Sequence, residues 1–135
     1  MVRLRRDQAS QRPRRLGRLR YDRHMAYDRD LADRIRRLVA GESDVTEQKM
    51  FGGLAFLVRG NMAIAASGHG GAMVRVDPAQ SDALIATTHA QLVEMRGREM
   101  PGWLRLDSAR LGSESELARW VELGTTFARS LPAKR

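Results

Sequence analysis

The sequence contains no cysteine and no run of about eighteen apolar residues. The missing cysteines exclude a disulfide scaffold, an iron–sulfur cluster and a zinc site built from thiolates. The missing apolar run excludes a transmembrane helix. We therefore expect a cytoplasmic protein that does not associate with membranes. With 135 residues, of which 42% are hydrophobic, the chain is long enough for one domain with an ordinary core.

Acidic residues are scarce at the N-terminus. The chain has 24 Lys and Arg against 16 Asp and Glu, and residues 1–24 hold nine of the arginines but only two of the acidic residues. This segment contributes +7 of the formal charge of +8. Its arginines are Arg3, Arg5, Arg6, Arg12, Arg14, Arg15, Arg18, Arg20 and Arg23. Because the segment has too few apolar residues to offset chain entropy, we predict a disordered extension over 1–24 and a folded domain over 25–135.

Three interpretations of the N-terminal extension remain open. It is a polyanion-binding arm, since clustered arginines neutralise phosphates and release counterions. Alternatively, it is a solvated charge run without a ligand. In the third interpretation, translation begins at Met25 and the extension is absent from the physiological protein. The segment has one aromatic residue, Tyr21, and so offers little for base stacking.

The first half of the remaining chain predicts one helix followed by three strands. Apolar residues recur with helical spacing from Asp28 to Ala40, and Gly41 suits the end of the helix. Short apolar runs then predict strands over 54–58, 62–66 and 73–76, with Gly60-Asn61 as a hairpin turn.

The second half predicts two more helices and two strands. Asp77-Pro78 is typical of a helix start. Strands are predicted over 92–95 and 103–106, with Pro101-Gly102 as a turn between them. Ser113 and Glu116 form a capping box before a last helix that Pro132 ends, and Gly124 within it indicates close packing against the sheet. The fold class is α+β, with a largely antiparallel five-stranded sheet.

Candidate catalytic and metal-binding patterns are weak. His24, His69 and His89 lack the spacing of paired ligands. The acidic residues of the first helix are explained by its capping and exposed positions, and the glycine-rich stretch 67–71 is interpreted as a hairpin loop rather than a phosphate site. We therefore predict no enzyme activity, catalytic residue, metal or cofactor.

Two other patterns have both a structural and a functional interpretation. Met50, Met62, Met73, Met95 and Met100 cluster in the sheet half of the chain, either as core filler or as an adaptable partner surface. Arg75 and Arg105 interrupt apolar strands. We expect both to point outward, and an anion-binding patch is the alternative.

Strands 54–58 and 62–66 are apolar on both faces, but only three helices are available to cover the sheet. We expect all three to cover one face and a second subunit to cover the other in a homodimer. Leu57 and Ile64 are expected to lie on opposite faces. In the alternative, one helix crosses to the second face.

Five short motifs, in order, resemble the TfoX/Sxy N-terminal domain family over residues 25–135. The matching residues that we take as structural or interaction positions are Met50, Phe51, Gly52, Gly53, Leu54, Gly60, Asn61, Met62, Arg75, Gly97, Arg98, Met100, Gly102, Trp103, Trp120, Gly124 and Phe127. The resemblance implies a secretion-chaperone-like α-β(3)-α-β(2)-α fold and a link to transcription and competence regulation. It implies a bacterial stand-alone member without the C-terminal domain of the founding proteins, and no catalytic residues.

Two functional hypotheses follow from these observations. The first is a small regulatory or protein-interaction module with a protein partner. The second is a nucleic-acid-associated protein that binds weakly and without sequence preference through residues 1–24. The near-neutral charge of the remaining chain favours the first hypothesis for the folded domain.

Overall fold

Helices cover one face of an antiparallel sheet in the computed structural model, which describes residues 27–50 and 52–134. Within these ranges there are three helices and six strands. The helices are α1 (Arg29–Leu38), α2 (Ser81–Thr87) and α3 (Glu114–Ser130). The strands are β1 (Val45–Met50), β2 (Gly53–Val58), β3 (Asn61–Ala66), β4 (Ala72–Arg75), β5 (Gln91–Met95) and β6 (Arg98–Leu106). Single turns of 3₁₀ helix span Pro78–Gln80 and Ser108–Arg110.

All strand pairs are antiparallel, and the order across the sheet is β1-β2-β3-β4-β6-β5. The α+β class is therefore confirmed. The predicted five-stranded sheet is wrong by one strand, because β1 was not predicted. Its sequence, VTEQKM, is polar, and its residues are half-buried or exposed at the edge of the sheet. An edge strand with little burial leaves no apolar run for a sequence pattern to detect.

The turns differ in detail from the prediction. The β2–β3 turn is Arg59-Gly60, one residue earlier than predicted, and both residues have positive φ. Arg96-Gly97 forms the same kind of turn between β5 and β6. Pro101 and Gly102 lie inside β6, where the pairing with β5 shifts register, instead of ending the strand. A bulge tolerates proline because it interrupts the ladder of backbone hydrogen bonds.

Side-chain caps fix the starts of α1 and α3 as predicted. The predicted cap Asp77 instead begins the 3₁₀ turn Pro78–Gln80, and α2 follows at Ser81 without a side-chain cap. The Asp28 carboxylate accepts hydrogen bonds from the backbone N–H groups of Asp30 and Leu31 at 3.0 and 3.2 Å. Ser113 Oγ accepts one from the N–H of Glu116 at 3.0 Å. Glu116 does not complete the capping box, since its carboxylate accepts a hydrogen bond from the indole N–H of Trp120 at 3.2 Å.

The main core lies between the helices and one face of the sheet. It combines Ile35 of α1, Leu84 of α2 and Trp120 of α3 with strand residues that include Phe56 and Ile64. No helix residue belongs to the cluster of Ala55, Leu57, Met62 and Ala65, which packs on the other face. Leu57 and Ile64 thus lie on opposite faces, and the alternative in which one helix crosses over is wrong for the described helices.

Candidate interaction surface

The sheet face opposite the helices, called the helix-free face below, is formed by alternate residues of the six strands. Strand pairing places residues of matching orientation opposite one another, so the register defines this face. Its side chains are Thr46, Gln48, Met50, Ala55, Leu57, Met62, Ala65, Met73, Arg75, Gln91, Val93, Met95, Arg98, Met100, Trp103 and Arg105. Most of these residues are apolar. Ala55, Leu57, Met62 and Ala65 are buried, and Met95 at the edge strand is 40% exposed.

A groove of about 540 Å³ opens on the helix-free face. Ala55 and Ala65 form part of its lining, together with the polar residues His69 and Arg105. Four of the five clustered methionines also line it: Met50, Met62, Met73 and Met95. Met100 lies opposite Val93 in the β5–β6 pair and is not a lining residue. Met62 is buried, Met50 and Met73 are half-buried and Met95 is exposed, so the cluster contributes both to packing and to the wall of the groove.

Arg75 connects the helix-free face to helix α3. Its guanidinium carbon lies 5.0 Å from the ring centroid of Trp103 and 5.6 Å from that of Phe127. Trp103 is opposite Arg75 in the β4–β6 pair, whereas Phe127 projects from α3. Both distances are within the range of cation–π attraction. Three motif residues from separate parts of the sequence thus form one cluster, and no local pattern indicated that Phe127 would contact Arg75.

Other motif residues lie in hairpin turns. Met50, Gly52, Gly53 and Leu54 flank the β1–β2 turn, and Phe51 is outside the described residues. The β2–β3 turn contacts residues 132–134: the Lys134 N–H donates to the Arg59 carbonyl at 2.8 Å, and the Asn61 amide donates to the Pro132 carbonyl at 2.9 Å. A Cβ atom at Gly60 would overlap the Lys134 carbonyl.

The remaining motif residues stabilise the packing of the sheet or begin its last hairpin. The Gly102 N–H donates to the Ser81 hydroxyl at 2.6 Å and joins the β6 bulge to α2. Trp120 is fully buried, and Gly124 contacts β3. Gly97 and Arg98 lie at the β5–β6 turn. Of the described motif residues, Met50, Met62, Arg75, Arg98, Met100 and Trp103 lie on the helix-free face, and the others lie in turns or pack within the fold.

Two arginines on the helix side of the molecule pair with carboxylates of the β1 region. Arg36 of α1 donates to both carboxylate oxygens of Glu47 at 2.5 and 2.9 Å, and this hydrogen bonding lowers the Glu47 pKa and raises the Arg36 pKa. Arg129 of α3 donates to Asp44 at 3.1 and 3.2 Å and lowers its pKa in the same way. These pairs connect the edge strand and its preceding loop to the helices.

Metal-binding groups do not converge in the described ranges. There is no group of three His, Asp or Glu side chains that could hold an ion within them. His69 and His89 are exposed, and His24 lies outside those ranges. The absence of a metal or cofactor stays a prediction, which elemental analysis of the dialysed protein would test.

The nine arginines of residues 1–24 also lie outside the described ranges, so the structure does not test their role. Residues 27–134 carry 14 Lys and Arg against 14 Asp and Glu and are therefore neutral overall. No helix found in the described ranges has the length and apolar character needed to cross a membrane.

An antiparallel sheet with helices on one face and an apolar groove on the other defines an α+β domain. The family model of the TfoX N-terminal domain matches residues 37–128. The chain belongs to the TfoX N-terminal domain family, as its motifs predicted. No curated protein matches the chain.

Proposed function

We propose that this protein is a regulatory protein-interaction module that binds a partner protein through the helix-free face. The observation that carries the proposal is the methionine-lined groove on a sheet face that none of the described helices covers. Membership of the TfoX N-terminal domain family supports a regulatory role of the competence type. We expect the role to be exerted on transcription in the cytoplasm, by binding rather than by catalysis.

Variants of the groove test this proposal. In the native host, affinity capture with wild type is compared with the double variant Met73→Gln/Met95→Gln, which removes apolar side chains from the groove. Thr126→Gln, at an exposed position of α3, is the control. The expected result is a specific partner that is lost with the double variant and retained with the control. Transcript profiles of a deletion strain complemented with each variant should change in parallel. Partner binding that is insensitive to the double variant contradicts the proposal.

The homodimer stays a prediction, and as an occupant of the helix-free face it competes with the partner protein. Its premise holds, because all three described helices pack against the same face of the sheet. Light scattering at micromolar concentration tests it: a dimer has twice the mass of the 15.2 kDa chain, and a mass near 15.2 kDa refutes it.

Nucleic-acid association through residues 1–24 is the second candidate function, and the charge distribution favours it over binding by the folded domain. Residues 1–24 contribute +7, whereas residues 27–134 are neutral. Because clustered arginines attract phosphates, the expected binding is weak and independent of nucleotide sequence.

A further inference from the structure

The acidic side chains of the strands all lie on the helix side of the sheet, which they share with one basic strand residue, Lys49, opposite Leu54 of the main core. The acidic strand residues are Glu47, Glu94 and Glu99. Glu47 is opposite Phe56 of the main core, and Glu94 is opposite Glu99. Alternation along each strand therefore directs these three carboxylates to the helix side.

Three arginines of the strands lie on the helix-free face, opposite the carboxylates. Arg75 and Arg105 alternate with the core residues Val74 and Leu104, and Arg98 is opposite Met95. No strand position of the helix-free face within the described ranges is Asp or Glu. Glu94 borders the groove through its place on the edge strand, as does Leu92, whose side chain packs against the main core.

The arginines of the helix-free face lack ionic partners. Within the described ranges, no carboxylate lies within 4.0 Å of the Arg75, Arg98 or Arg105 guanidinium. The Arg105 guanidinium donates a hydrogen bond to the neutral side chain of Gln91 at 3.5 Å. On the helix side, by contrast, Arg34, Arg36 and Arg129 each pair with at least one carboxylate.

Arg75 is also held in position before any partner binds. Its contacts with Trp103 and Phe127 restrict a side chain that is otherwise flexible. A guanidinium that contacts aromatic rings keeps its N–H groups for a carboxylate, and little side-chain entropy is lost when that carboxylate binds.

From these observations we infer that the helix-free face binds an acidic, partly apolar segment of another protein. Carboxylates of that segment pair with Arg75, Arg98 and Arg105, and its apolar side chains enter the methionine-lined groove. The inference rests on the proposed function, in which this face is the interaction surface. It adds the chemistry of the partner, which follows from the sign of the charges and the apolar groove between them.

Charge disfavours the other occupants. A two-fold contact between two copies brings positive faces together, with no acidic strand residue on either to compensate. The chain's own residues 1–24, with nine arginines and two acidic residues, carry the same sign as the face. A nucleic acid would satisfy the arginines, but its phosphate backbone has no apolar group for the methionines of the groove.

Selection from a random peptide display library against the full chain tests the inference. Recovered peptides are synthesised and their affinities are measured with wild type, with Arg98→Glu/Arg105→Glu and with Arg37→Glu/Arg110→Glu. All four substituted arginines are exposed, and both double variants change the net charge equally. Met73→Gln/Met95→Gln reports whether a peptide uses the groove. Thermal melting confirms that each variant is folded.

The expected peptides combine Asp or Glu with large apolar residues. Their affinity should fall by about tenfold or more with Arg98→Glu/Arg105→Glu, because like charges then face each other. It should change little with Arg37→Glu/Arg110→Glu. A peptide whose acidic residues are replaced by Lys should regain affinity for Arg98→Glu/Arg105→Glu, which a structural role of these arginines does not explain.

Other outcomes separate the inference from the proposed function. If peptides bind through the groove but are neutral or basic, or ignore the arginine reversal, the acidic partner is refuted and the surface stands. If no peptide is sensitive to Met73→Gln/Met95→Gln, both fail. The inference is also overturned if the protein is a dimer that dissociates with Met73→Gln/Met95→Gln. It is overturned as well if the protein without residues 1–24 binds duplex DNA through Arg98 and Arg105.

Discussion

Gly124 of α3 lies directly against the backbone carbonyl of Ala63 in β3. A Cβ atom at Gly124 would overlap this carbonyl group and come within 3.3 Å of Val74. The β2–β3 pairing shifts between Phe56 and Leu57, and Ala63 is the residue left without a partner. The bulge moves the backbone of β3 toward α3, so a residue without a side chain is needed at the contact.

We expect Gly124→Ala to destabilise the protein. In an exposed helix this change would stabilise by about 1 kcal/mol, because alanine has the higher helix propensity. Here overpacking against Ala63 should outweigh the gain and lower the free energy of unfolding by about 1–3 kcal/mol. Urea denaturation measures the change. Gly41→Ala is the control, since nothing lies within 4 Å of its Cβ position. Equal stability of the two variants would show that α3 does not need this close contact.

Arg96 and Arg59 both have left-handed backbone conformations, with φ of 52° and 51°. Asparagine tolerates this region better than arginine, so Arg96→Asn should raise the free energy of unfolding by up to about 1 kcal/mol. Arg59→Asn should raise the free energy of unfolding by less, because it also removes the hydrogen bond that the Arg59 side chain donates to the Arg129 carbonyl. Denaturant midpoints of both variants check the order. A larger increase in the free energy of unfolding for Arg59→Asn than for Arg96→Asn would contradict the prediction.

The ion pair between Arg36 and Glu47 should make stability depend on acidic pH. The hydrogen bonds from Arg36 lower the pKa of Glu47 in the folded protein. Because the unfolded chain binds this proton at the ordinary Glu pKa of about 4.3, the stabilisation is complete above that value. It is lost as the pH falls through the lower folded-state pKa.

Arg36→Gln should therefore lose less stability than wild type between about pH 6 and pH 3. The unfolding free energies of both proteins at the two pH values give this difference. Arg37→Gln, one position along and exposed, should behave like wild type. The explanation fails if all three proteins lose the same stability.

Removal of residues 1–24 should leave the fold intact and abolish nucleic-acid binding. The cap and the buried residues of α1 all lie at or after Asp28. The free energy of unfolding should therefore change by no more than about 0.5 kcal/mol, and the melting temperature should stay nearly the same. Full-length protein should bind duplex DNA, and the binding constant should fall as salt is added. If all nine arginines contact phosphates, a plot of log binding constant against log salt concentration should have a slope of about −8. Filter binding of both proteins at several salt concentrations checks this. Duplex binding by the shortened protein at physiological salt would contradict it.

Local patterns were sufficient for the elements that local chemistry controls. Asp28 and Ser113 cap helices because the N–H groups that they satisfy are two or three residues away. The apolar runs of β2 and β3 are buried on both faces, so their composition alone marked them as strands. The turn at Gly60 was misplaced by one residue, because the residue that shares the left-handed conformation with Gly60 is Arg59 before it, not Asn61 after it.

The sequence by itself determined the α+β class, the family, the starts of α1 and α3 and the concentration of positive charge in residues 1–24. The tertiary structure alone decided which strand residues share the helix-free face, and that Arg75, Trp103 and Phe127 meet. It also revealed β1, whose polar residues form a strand because they pair with β2, not because they are buried. These features depend on strand register and on contacts between residues distant in sequence. Periodicity within one segment does not encode them, because each requires a partner from another part of the chain.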